Sequence, residues 1–253
     1  MSNTPEVVLC IPGPWDSNKA LVDEIAASGT GYVLDGTMLR ELDTGFACEL
    51  VLQAADPALA DDFARAGPHW AKTEAMADID MHATVAYLMA PGGSREAADA
   101  MMRAGAALID AGGMGVKVDS SGIADAPAYW IDMCEQLDQL TAHRALVVYV
   151  AGADVYSCGM HNFGLPEAIT SASDKAQAAD MLRFFTRYLL EHAPSLADGH
   201  TFSVSEGKQA YRAEQVPEID YGPGSLFNNP YGAWRLSPVA AEKKGNWWAR
   251  NRQ

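Results

Sequence analysis

The stretch SCGMHNFGLPEAIT, from Ser157 to Thr170, brings a thiol, an imidazole and a carboxyl close together in the chain. Three kinds of behaviour fit those residue types. Cys158 beside a base would be a thiolate nucleophile, but such a base normally lies adjacent in space rather than three residues along, and no local cysteine-peptidase signature surrounds it. His82, His143 or His200 could supply that base, which spacing does not decide. As a metal site, Cys158 and His161 make one ligand pair, whereas a structural zinc takes four ligands, usually as two pairs. Cys10, Cys48 and Cys134 stand singly and far apart, and the histidines form neither an H-x-E nor an H-E-x-x-H pattern, so no metal is expected. The third reading is a tight corner after a core strand, with Gly159 and Gly164 where the backbone needs positive φ and Cys158 and His161 as packing residues. The corner is favoured.

The other candidates for chemistry are weaker. The turns PGPWDSNK and APGGSRE join a strand to a helix N-terminus, where free N–H groups favour an anion, but neither matches a phosphate-loop or dinucleotide motif. In AGGMGVKV the glycines close a helix and enter a strand, the reverse of the dinucleotide arrangement, so no cofactor is expected. Carboxylates are plentiful: Asp61 and Asp62 belong to a short helix, and Asp78 and Asp80 to a loop before a strand. Without a pocket they read as a solvated face.

The elements that must position these residues alternate along the chain. EVVLCIPGP reads as a buried strand, and DSNKALVDEIAAS as a helix capped by Asp16 or Ser17 and closed by Gly29. GYVLDGTMLREL and FACELVLQAA resemble strands, and Asp56-Pro57 opens the helix PALADDFARA with proline at its first position. A second round follows: the strand ATVAYLMAPGG, a helix capped by Ser94 and ended by Gly112-Gly113, the strand MGVKVDSSG and the helix APAYWIDMCEQLDQL. RALVVYVAGADVYS has the β-branched and aromatic run of a central strand. DKAQAADMLRFFTRYLLEHA is an amphipathic helix with Met181, Phe184, Phe185, Tyr188 and Leu189 on one side, and HTFSVSE and AYRAEQVPEIDY look like late strands. The expectation is an α/β or α+β fold with helices packed on a mixed sheet, the strands near 6–11, 83–89 and 145–151 lying buried in it. Residues 5–80 and 82–160 share an order of elements, each with a strand ending in aspartate (Asp35, Asp119), which suggests a duplicated βαβ-type unit. One domain then spans 1–221. Residues 222–253 form a Gly-, Pro- and Trp-rich tail whose Trp234, Trp247 and Trp248 should dock on the domain or on a partner.

Net charge is −15, and it is uneven: residues 1–80 hold 14 acidic against 4 basic side chains, while residues 161–253 hold 10 of each. That sign argues against nucleic acid and permits a basic protein partner. The longest apolar runs are too short to span a bilayer, so no membrane is expected. MSNTPEVVLC carries no secretory pattern, and the cysteines are dispersed; both point to a reduced, cytoplasmic chain.

One resemblance adds to this. The spacing Gly159, Gly164, Glu167 before a long helix, the corner Asp198, Gly199, Thr201 entering a strand, and the strand HATVAYLM resemble a bacterial family described only as a domain of unknown function, over roughly residues 45–220. The resemblance implies soluble α/β proteins and a turn-forming role for Gly159, Gly164 and Glu167. Families of this kind can include immunity proteins that sit beside secreted toxins, an analogy only. Together these features favour a non-catalytic protein-binding module, most concretely an immunity-type protein neutralising a basic toxin. Its candidate partner-binding residues are Trp15, Asp16, Asp56, Asp61, Asp62, Asp78 and Asp80, with Trp15 as the anchor and the acids as steering charges. The alternative is a small-molecule enzyme using Cys158 and a spatially adjacent histidine.

Overall fold

The structure is a computed structural model that describes residues 4–239, apart from 172, 218 and 220. In chain order the strands of its first part are β1 (Glu6–Gly13), β2 (Tyr32–Asp35), β3 (Met38–Glu41), β4 (Ala47–Ala54), β5 (Thr84–Pro91), β6 (Val116–Val118) and β7 (Ile123–Asp125). Those of its second part are β8 (Val148–Ala151), β9 (Val155–Cys158), β10 (Glu167–Thr170), β11 (Thr201–Phe202), β12 (Tyr211–Val216) and β13 (Ala233–Pro238). The helices are α1 (Asn18–Ser28), α2 (Leu59–Ala66), α3 (Glu74–Asp78), α4 (Arg95–Asp110), α5 (Pro127–Glu135), α6 (Gln139–Leu146) and α7 (Lys175–His192).

Two sheets result, and the fold is α+β. The first is antiparallel, in the order β2-β3-β4-β5-β1-β6-β7. Within it β1 and β4 run parallel with β5 between them, and β5 and β6 run parallel with β1 between them. Two split β-α-β units, β1-α1-β4 and β5-α4-β6, therefore interlock in a ferredoxin-like order. Hairpin β2–β3 is an insertion before β4, so the strand corresponding to β6 is β4, and Asp35 and Asp119 do not occupy equivalent places. The second unit also ends at β7, because β8 and β9 belong to the other sheet.

Both faces of the first sheet are covered. Leu9, Ile11, Ala86 and Leu88 face α1 and α4, while Cys10 and Val85 join Leu59, Phe63, Trp70, Met76 and Ile79 from the α2–α3 layer. That two-sided burial is why β1 is an almost unbroken apolar run. The helices start where side chains can take up their free N–H groups: Ser17 caps α1, Ser94 caps α4, Asp138 caps α6 and Asp174 caps α7. The helix after Asp56-Pro57 begins only at Leu59, because the Asp56 carboxyl accepts from the Ala58 N–H and holds a turn there.

The second sheet has the order β11-β12-β13-β10-β9-β8, and its parallel β10–β13 pair makes it mixed. One face packs on α7 through Val155, Ala168, Trp234 and Leu236 against Met181, Leu182, Phe185 and Leu189. Phe184 points the other way and is exposed. The long run expected as one central strand is divided: Arg144–Leu146 finish α6, and a turn closed by Gly152 N–H to the Asp154 carbonyl makes β8 and β9 a hairpin. β8 is an edge, with Val147 buried and Val148 half-buried, and it lies in a different sheet from β1 and β5. Residues 222–239 are no tail either. β13 is an internal strand, and Trp234 is buried on it; Trp247 and Trp248 lie outside the described residues.

Trp15 is 1% exposed, and its indole N–H donates to the Ala111 carbonyl at 2.7 Å. It pins the β1–α1 turn to the end of α4. Trp15→Ala should cost about 4 kcal/mol in urea unfolding, as large-to-small changes in tight cores do; a loss under about 1 kcal/mol would contradict this packing.

Candidate functional site

The 157–170 stretch folds into a corner organised by one carboxyl group. Glu167 is 3% exposed on β10. Its Oε2 accepts from the Ser157 hydroxyl at 2.6 Å, and the same Ser157 oxygen accepts from Ala168 N–H at 2.9 Å. Its Oε1 accepts from the backbone N–H groups of Gly159 (3.0 Å), Met160 (2.9 Å) and His161 (3.4 Å), from His161 Nδ1 (3.2 Å) and from Asn229 Nδ2 (3.1 Å). A carboxylate oxygen only accepts, so His161 carries a proton on Nδ1. Met160 and His161 belong to the 3₁₀ turn Met160–Phe163, capped by Gly159, whose free N–H groups need an acceptor because the turn is buried.

Two glycines let this corner touch its neighbours. Gly159 has φ 118° and Gly164 φ 75°. A Cβ at Gly159 would lie 2.0 Å from the Leu146 carbonyl oxygen, and one at Gly164 would lie 2.3 Å from the Gly93 carbonyl oxygen. Gly93 N–H donates in turn to the Asn162 carbonyl at 3.0 Å. The corner thus joins the second sheet to the β5–α4 turn of the first. His161 is more than a packing residue: it is one of the donors that fill Glu167.

Nucleophilic chemistry finds little purchase here. Cys158 is 5% exposed, and burial, helped by the Glu167 charge, pushes its thiol far above the ordinary range. The proposed bases are engaged elsewhere. His82 Nδ1 donates to the Ile79 carbonyl while its Nε2 accepts from Asp56 N–H. His143 Nε2 lies 2.9 Å from Thr186 Oγ1, and His200 Nδ1 accepts from Ala197 N–H. The Asp198 corner is an anchor as well: its carboxyl accepts from Gln215 N–H at 2.6 Å beside Gly199, ahead of Thr201 in β11. No group of three or more His, Cys, Asp or Glu among the described residues could hold a metal.

Of the acidic candidates, Asp16, Asp56, Asp78 and Asp80 lie on turns near one end of the first sheet, and the expected anchor is not with them. Trp15, being buried, is unavailable to a partner. Its turn, however, lies beside β5: Ala83 N–H donates to the Gly13 carbonyl, and Thr84 Oγ1 donates to the Trp15 carbonyl at 2.7 Å. That places Asp16 next to residues 83–84, and the His82 bond to Asp56 N–H draws Asp56 to the same end of the sheet. Asp78 ends α3 and Asp80 follows in the turn Ile79–Met81; Asp16, Asp56, Asp78 and Asp80 are all exposed. Asp61 and Asp62 sit on α2, which packs on the same layer, and Asp62 pairs with Arg65. Met81, which follows Asp80 in the turn Ile79–Met81, is 77% exposed; sequence reasoning passed over it.

A second feature was also missed. His69 Nε2 lies 3.1 Å from Asp125 Oδ1, the histidine half open to solvent and the carboxyl buried. Nothing local signals it, because 56 positions separate the partners. Burial pushes the Asp125 carboxyl up to about 6, with the His69 and Arg144 charges opposing the rise.

Three comparisons with known proteins bear on this arrangement. Residues 156–227 match the model of a domain of unknown function, DUF4261. The match takes in Gly159, Gly164, Glu167, Asp198, Gly199 and Thr201, and is narrower than the 45–220 span of the sequence resemblance. No curated protein matches the chain, and no solved structure does. No helix among the described residues is long and apolar enough to cross a membrane.

Two variants check these readings. Glu167→Ala leaves a hydroxyl and several buried N–H groups without an acceptor and should cost about 4 kcal/mol in urea unfolding, whereas Glu167→Gln keeps one oxygen and should cost about half as much. Equal, small losses would show the carboxyl to be dispensable. For Asp125, the folded carboxyl holds its proton to higher pH than the unfolded one, so the folded state binds more protons between pH 4 and 6 and stability falls as pH rises through that window. Asp125→Asn should remove about 2 kcal/mol of that fall, measured as unfolding free energy at both pH values; an unchanged slope would rule out Asp125 as its source.

Proposed function

We propose that the chain is a non-catalytic protein-binding module that presents the acidic end of its first sheet to a basic partner. In its most concrete form it is an immunity-type protein that neutralises a basic toxin in the cytoplasm. The observation that carries the reading is that Asp16, Asp56, Asp78 and Asp80, on turns tied to the segment 79–84 that also carries the 77% exposed Met81, are exposed and have no ion-pair partner among the described residues. A methionine in water is an adaptable apolar contact, and the carboxylates steer a positive partner and set its orientation. Against the enzyme alternative stands the burial of Cys158, with its thiol held protonated and the histidines weighed as its base bonded elsewhere.

The test uses the purified full chain as bait in host lysate, with mass spectrometry, followed by kinetics on the captured protein. A basic protein should be held by the wild type and lost by Asp56→Lys/Asp80→Lys. That double variant should slow association about tenfold at low salt, and Met81→Ala should speed dissociation. Cys158→Ala should bind as the wild type does. A partner whose association ignores both charge reversal and ionic strength would sink the acidic-end reading.

A further inference from the structure

We infer that the cavity between α6, β8 and α7 binds a small phosphorylated organic molecule through Arg144, Arg183 and Arg187. The cavity is about 340 Å³. Three guanidinium-bearing residues line it in a chain whose net charge is −15. Such a chain has acids in excess, yet Arg144 and Arg187 pair with none among the described residues; Arg183 alone has a carboxylate, Asp180, at 2.6 Å. The nearest use Arg144 finds is the Tyr129 hydroxyl at 3.3 Å. Arg187 is bound still less, since its Nε is buried without a hydrogen-bond partner. Guanidinium groups that line a cavity without a carboxylate of their own offer their N–H donors to an anion there.

The fold aims these residues together. Ala179, Arg183 and Arg187 follow one another at four-residue spacing on α7, so they form one stripe facing the cavity. Arg144 reaches it from the last turn of α6, and the Arg183 guanidinium is held 5.1 Å from the centre of the Tyr149 ring. His143 and Tyr149 line the cavity and bond to the buried Thr186, with Tyr149 Oη 2.6 Å from Thr186 Oγ1. The positive field there is felt by His143: burial first, then the Arg187 and Arg183 charges, lower it to about 3 and keep it neutral. It therefore adds no competing charge.

Forked guanidinium donors match the oxygens of a phosphate, which they grip in pairs. The remaining wall is organic in character: Ile123, Val147, Val148 and Ala179 line it beside the Tyr149 ring. A volume of this size suits a small metabolite rather than a bare ion. This site lies on the second sheet's side and is independent of the acidic end.

Calorimetry and thermal unfolding of the full chain with phenyl phosphate, inorganic phosphate and phenol separate the possibilities. Phenyl phosphate should bind best, about tenfold tighter than inorganic phosphate, and raise Tm by about 3 °C at ten times its Kd; phenol should not bind. Arg187→Gln and the more exposed Arg144→Gln should each weaken phenyl phosphate about tenfold, while Arg65→Gln, on α2, leaves it unchanged. If Arg187→Gln fails to fold, Arg144→Gln decides alone. No binding of either phosphate at 10 mM, or binding that ignores the arginine variants, would overturn the proposal. Equal affinity for the two phosphates would overturn its organic part.

Discussion

One buried carboxyl group governs how the two sheets meet. Glu167 accepts from a serine hydroxyl, three backbone N–H groups, an imidazole and an amide, and in doing so fixes the path of residues 157–163. That path presses Gly159 against the end of α6 and Gly164 against the turn between β5 and α4. A carboxyl withdrawn from water is costly unless its oxygens are filled, and here most of the donors belong to a buried turn and its cap that would otherwise lack acceptors. Each group answers the other's need, so the corner stands or falls as a unit. The aromatic and aliphatic packing on α7, including Trp234 of β13, builds outward from it.

This use of polar residues shapes the functional reading. The side chains of this stretch that could do chemistry by type, Cys158, His161 and Glu167, are closed to solvent, and His161 and Glu167 are spent on architecture. What faces solvent is charge, divided by sign. The acidic end of the first sheet exposes aspartates that have no ion-pair partner among the described residues, while α6 and α7 gather arginines about a cavity. A single net charge of −15 conceals that division. The two regions suit different ligands, a basic surface in one place and a small anion in the other.

Much of the fold was legible in local sequence because local chemistry set it. Ser17 and Ser94 cap their helices, Gly29 closes α1, and the apolar run of β1 announces a strand buried on both faces. The errors came where long-range pairing decided. The Asp35-Gly36 dipeptide is a hairpin signal, and it splits the run GYVLDGTMLREL into β2 and β3. The β-branched run after Arg144 has the composition of a central strand, yet β8 is an edge and β13, hidden in a Gly- and Pro-rich segment, is internal. Of the site, the acidic residues were legible by type, but their convergence depends on His82 bridging Ile79 and Asp56. The fate of Trp15 depends on a carbonyl 96 positions away, and the arginine stripe meets Arg144 only through the docking of α6 on α7.

The central claim is that residues 157–163 are a structural joint locked by Glu167. Amide hydrogen exchange of the native protein at Gly159, Met160 and His161 tests it directly. Buried N–H groups bonded to that carboxyl should exchange only through global unfolding, with protection equal to that of the β1 amides. Exchange at these three amides as fast as in an exposed loop, while β1 stays protected, would contradict the claim.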